Sequence, residues 1–170
     1  AEPARSWHSL LSQERSCSIS TDCVWKESGA QLRFTEANVG EFSTLASFKD
    51  ADMHAEKRQN GVSYEVQTIS LNDLLDRYNA PREIDYLSID TEGSEYNILG
   101  AFDFSRHTFG VITVEHNFTD QREKIRALFE RHGYGHVLEE ISRFDDWYLR
   151  ADIASRCQVE ASRSTSSPAA

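Results

Sequence analysis

The stretch IDYLSIDTEGSEYNIL, Ile84 to Leu99, decides the reading of this chain. It opens as an apolar run and then sets Asp90, Glu92 and Glu95 within six positions. A short run with apolar residues on both faces suits a central strand of a sheet covered on both sides. Carboxylates gathered at its end repel one another, and packing alone gives no reason to collect them. Gly93 permits a sharp turn or a close ligand approach. SEYNILGAF then reads as a short helix with Ser94 as its cap.

Working outward, GVITVEHN (Gly110–Asn117) is a second buried strand with a polar end, Glu115, His116 and Asn117. VSYEVQTI is strand-like, and SLNDLLDRYNA follows as a helix with a capping pair, Ser70 and Asp73. Asp120 to His132 reads as a helix, with a capping box from Asp120 to Glu123 and Gly133 placed to end it. GHVLEEISRFDDWYLR supplies two closing strands. Near the start, Glu2-Pro3 opens a helix with Trp7, Leu10 and Leu11 on one face. CSIS is a short strand candidate, and CVWKESGAQLRF reads as a hairpin around Ser28-Gly29. The long connection Thr35–Gly61 has no clean period, as in binding loops, with Phe42, Phe48 and His54 as candidate contacts. The Ser/Ala-rich tail, 154–170, reads as disordered, leaving 1–153 as the folded part.

Alternation of strands and helices implies an α/β fold with a mostly parallel sheet flanked by helices. In such sheets ligands bind beyond the carboxyl ends of the strands. That rule brings Asp90 and Glu92 to the same edge as Glu115, His116 and Asn117.

The chain has 170 residues, 39% hydrophobic and 27% charged, an ordinary balance for one domain. Its net charge of −10 argues against a nucleic-acid partner, which calls for clustered Lys and Arg. No apolar run is long enough for a membrane span, and no signal peptide is visible. Cys17, Cys23 and Cys157 match neither a disulfide framework nor a zinc pattern. They read as reduced thiols of a cytoplasmic protein.

Carboxylate and imidazole groups at one edge are what a general-base step requires. His116 is the first candidate base and Glu92 the second, with Asp90 beside them. Asp90, Glu115 and Asn117 also form an oxygen donor set for Mg²⁺. Each residue has a structural alternative. Asp90 and Asn117 suit turns, Glu92 and Glu95 suit the N-terminus of the next helix, and His116 suits an internal hydrogen bond.

The combination of IDYLSIDTEGSEYNILGAFDF with VITVEHN, then HGY and DDWYL, resembles the FkbM family of S-adenosylmethionine-dependent methyltransferases. TISLNDLL and GEFSTL also resemble family patterns. The resemblance implies a class I, Rossmann-like methyltransferase fold, methyl transfer to a hydroxyl oxygen, and a small-molecule acceptor of sugar or polyketide type. It places Asp90 and Glu92 on the cofactor and substrate side of the fourth strand. Glu2 matches the acidic residue that binds the cofactor ribose at the end of the second strand, and Asp22 follows the third strand, beside the adenine ring. The first strand and its Gly-rich turn are missing, so the resemblance implies a fold incomplete at the N-terminus. Two other readings use the same residues: a metal-dependent hydrolase, and a truncated binding module without catalysis.

Overall fold

The computed structural model describes residues 1–50 and 53–156. Helix α1 (Arg5–Glu14) leads to β1 (Cys23–Trp25) and β2 (Gln31–Glu36). A long connection carries β3 (Thr44–Leu45), two 3₁₀ turns and the single-turn α2 (Ala55–Arg58). Then come β4 (Val62–Ser70), α3 (Leu71–Arg77), β5 (Glu83–Ile89) and α4 (Glu95–Gly100). The chain continues through β6 (Thr108–Glu115), α5 (Gln121–Arg131), β7 (Tyr134–Val137) and β8 (Asp145–Arg150). Residues 151–156 are helical, which includes the first three of the expected tail. The rest of that tail, with Cys157, lies outside the described residues.

The fold is α/β, but its strands form two four-stranded mixed sheets rather than one mostly parallel sheet. The first has the order β1-β4-β2-β3. Only β1 and β4 run parallel, with Cys23 opposite Thr68. β2 is antiparallel to both of its neighbours. The expected hairpin of β1 on β2 is therefore not formed, because β4 enters between them. The Ser28-Gly29 turn instead bonds to β4, where the Gly29 N–H donates to Thr68 O. The CSIS segment forms no strand.

The second sheet has the order β5-β6-β8-β7. β5 and β6 are parallel, with Ile84 opposite Phe109 and Ile89 opposite Val114. β8 enters between β6 and β7, antiparallel to both. The link from Leu138 to Phe144 is too short for a crossover, so an antiparallel return is the available geometry.

Leu99, Phe109, Ile112, Ile125, Phe129 and Tyr148, drawn from α4, β6, α5 and β8, form the main core. Burying each side chain stabilises by about 1.5–3 kcal/mol. The Tyr148 and Tyr134 hydroxyls stay satisfied inside: Tyr134 Oη accepts the Phe109 N–H at 2.9 Å, and Tyr148 Oη reaches Asp146 at 3.4 Å. A smaller cluster of Ala4, Cys23, Phe34, Leu45 and Val66 holds the first sheet, with Trp7 of α1 packed on it.

β5 departs from its expected central place. Among the described residues it pairs only with β6, and Tyr86 is 52% exposed. Its apolar residues on both faces thus have one open edge. Two expected caps also differ. Ser94 and Asp120 make no side-chain cap bond, whereas Ser70 accepts the Asp73 N–H at 3.1 Å as expected.

Candidate functional site

β5 ends at Ile89 and delivers Asp90 to a cavity of about 110 Å³. The chain then turns through two left-handed residues, Glu92 at φ +57° and Gly93 at φ +114°. Gly93 suits its position twice over. Its φ favours glycine, and an added Cβ would meet Phe48 at 3.3 Å. Glu92 holds a strained backbone, which needs external support. That support comes from both sides. Thr44 Oγ1 donates to Glu92 O at 2.9 Å and Thr91 O at 3.3 Å. Glu95 folds back and accepts the Thr91 N–H at 2.8 Å and the Gly93 N–H at 3.1 Å. Burial raises the Glu95 carboxyl, against the pull of these N–H groups. Glu95 is thus a clamp on the turn, close to the local role expected of it.

The Glu92 side chain is buried. Its Oε2 accepts from Arg58 Nη2 at 2.8 Å and from Asn117 Nδ2 at 3.4 Å. Arg58 is 3% exposed and also donates to Phe42 O at 2.6 Å and Lys49 O at 3.2 Å. One guanidinium therefore ties the long connection to the turn after β5. Phe48 and Phe42, expected to touch an acceptor, take structural contacts in this connection. Phe48 packs on Gly93 and, at 5.9 Å between ring centres, on Trp25. Phe42 packs against the tilted ring of His54, 4.5 Å between centres.

From the neighbouring strand end, Glu115 joins Asp90 and Glu92. The three carboxylates each offer an oxygen within 4.8 Å of the others. Burial raises the Glu115 carboxyl strongly, and the charges of Asp90 and Glu92 add to this. Burial raises Asp90 as well, while its hydrogen bond with Glu115 pulls the other way. Asp90 and Glu115 thus behave as a carboxyl pair that holds a proton more readily than either would alone.

Glu2 meets Asp90 across the cavity, whose wall also includes Cys23, Val24, Phe34, Leu45 and Glu92. Glu2 Oε1 accepts the Ala4 N–H at 2.8 Å, and burial raises its carboxyl. Burial also pushes the Cys23 thiol up to about 12, so it stays neutral. Asp22 is not in this wall. It pairs with Arg77 and bonds Ser20 Oγ at 3.2 Å. Asp22 precedes β1, and it is the first two residues of that strand, Cys23 and Val24, that line the cavity.

His116 is also apart from the carboxylates. It is 4% exposed, and its Nδ1 accepts the Phe118 N–H at 3.0 Å. Burial lowers its pKa, so the ring is neutral and its single proton belongs on Nε2. Nε2 makes no hydrogen bond, although Asp146 Oδ1 is 3.6 Å away. In this arrangement neither nitrogen has a free lone pair with which to take a proton from an acceptor. Asp146 is the centre of this second network. Burial alone would raise its carboxyl, but the bidentate Arg122 at 2.8 and 2.7 Å, with His116 and His136 nearby, holds it low. Of the expected donor set, Asp90 and Glu115 meet, while Asn117 reaches the group through Glu92.

Sequence reasoning missed Arg58 and Asp146. Nothing in HAEKRQNG marks one Arg as buried. Asp146 lay in the quoted DDWYL, which gave a signal without a role.

The family described as "Methyltransferase FkbM domain" matches residues 12–135. No curated protein and no solved structure matches the chain. The family match runs from α1 into β7 and takes in the whole carboxylate cluster, and the chain belongs to the FkbM methyltransferase domain family.

Proposed function

We propose that this protein is an S-adenosylmethionine-dependent O-methyltransferase acting on a hydroxyl of a small molecule of sugar or polyketide type. The observation that carries this reading is the cavity that joins Glu2 to Asp90 and Glu92 at the carboxyl end of β5. The donor set suits such a cofactor. Glu2 offers acceptor oxygens for ribose hydroxyls, and Val24, Phe34 and Leu45 offer apolar wall. When bound, S-adenosylmethionine supplies a methyl group on a positively charged sulfur.

The residues of the chain do the rest. The carboxylates favour a cationic group near the strand ends. The Asp90–Glu115 pair accepts the proton of the acceptor hydroxyl, with a basicity raised by burial. Arg58 and Glu95 fix the turn that positions Asp90 and Glu92, and fixed geometry supplies much of the rate gain in a transfer between two bound partners. At about 110 Å³ the cavity is smaller than the roughly 300–1,000 Å³ of most ligand sites. The setting proposed for the reaction is the cytoplasm. No helix among the described residues is long and apolar enough to cross a membrane.

The test is transfer of labelled methyl from S-adenosylmethionine, by the full-length protein, to a panel of sugar and polyketide-type alcohols. The proposal expects a labelled ether product and at least a tenfold loss of turnover in Asp90→Asn. Cation-dependent hydrolysis without S-adenosylmethionine would favour the hydrolase reading. Absence of any turnover across the panel would favour a binding module.

A further inference from the structure

We propose that Asp90, Glu92, Glu115 and Asn117 form a binding site for a hard divalent cation of the Mg²⁺ and Mn²⁺ class. Two features point to a ligand. The first is spacing. Three carboxylate oxygens lie within 4.8 Å of one another. Two oxygens on one ion are separated by at most twice the metal–oxygen distance, about 4.2 Å for Mg²⁺ and about 5 Å for Ca²⁺. Small side-chain adjustments therefore place all three on one ion. The second is Asn117. It is 8% exposed, and its Oδ1 has no hydrogen-bond partner. The amide borders the cluster, because its Nδ2 is 3.4 Å from Glu92 Oε2. A half-turn of this small planar amide exchanges Nδ2 for Oδ1 at the cluster. A buried acceptor without a donor is costly, and a cation among the carboxylates would satisfy it.

Charge and donor chemistry agree. Arg58 engages Glu92, and His54 is within electrostatic reach of Asp90. The Asp90 and Glu115 carboxyls still face each other, an arrangement that a shared cation relieves. Every donor is an oxygen, which selects Mg²⁺, Mn²⁺ or Ca²⁺ over softer ions. Asp90 is exposed on the open side, so water can complete the shell.

This inference does not rest on the methyltransferase reading, because binding is measured without donor or acceptor. The probe is Mn²⁺ alone, followed by loss of its free electron-paramagnetic-resonance signal and competed with Mg²⁺. One equivalent is expected per chain. The double variant Asp90→Asn/Glu115→Gln should weaken binding at least a hundredfold, and Asn117→Ala about tenfold. Asp152→Asn, remote from the site, should bind as wild type. Thermal melts establish which variants fold. Independently of the variants, Mn²⁺ should broaden the Gly93 and Asn117 amide resonances of the wild-type protein ahead of all others. No stoichiometric binding, undiminished binding in the folded double variant, or broadening centred elsewhere overturns the proposal.

Discussion

Replacing Arg58 by Met removes a guanidinium that is 3% exposed and leaves an aliphatic chain of similar length in its place. The donations to Phe42 O, Lys49 O and Glu92 Oε2 are among those that disappear. Glu92 keeps a buried carboxylate but loses the guanidinium of Arg58. Breaking one side of a buried ion pair costs about 3–5 kcal/mol. For a chain of this size each kcal/mol lowers the melting temperature by about 2–4 °C, so the expected fall is about 6–20 °C. Urea unfolding followed by tryptophan fluorescence measures the same cost, and Trp25 beside Phe48 reports on this region. A cycle with Glu92→Leu separates pairing from packing. The double variant should cost less than the sum of the single ones by about 1–3 kcal/mol. A loss below about 1 kcal/mol for Arg58→Met, with no coupling to Glu92, would refute the claim that this pair holds the long connection to the β5 turn.

Three further outcomes follow from the same geometry. Glu95→Gln puts an amide N–H₂ among backbone donors and should cost about 1–3 kcal/mol, read by urea unfolding; no change would remove the clamp. His116→Ala should lower the melting temperature yet keep turnover near wild type below it, because neither ring nitrogen is free to act as a base. A folded, stable variant without activity would contradict this. Arg122 holds the Asp146 carboxyl low, so this pair's stabilisation is present above the ordinary value of 3.8 and is lost as pH falls through the lower folded value. Acid unfolding should therefore begin at higher pH in Asp146→Asn.

The β5–turn–α4 unit and the β6 strand were legible because apolar runs, Gly93 and the polar strand ends are local signals. Sheet partners were not, since β4 enters between β1 and β2 through long-range pairing that no turn residue announces. The site was legible in part. Asp90, Glu92 and Glu115 were read from strand ends, and they do meet. The opposite placement of His116 was available in principle, because adjacent strand residues point to opposite faces. Arg58 was out of reach, as its partner lies across a long connection without periodicity.

The most direct test of the account's central claim is photo-crosslinking of labelled S-adenosylmethionine to the full-length protein, followed by peptide mapping. The account predicts label on the peptides that line the cavity, those carrying Glu2, Cys23–Val24 and Asp90–Ser94, with displacement by S-adenosylhomocysteine. Label confined to other peptides, or no displaceable label, would contradict it.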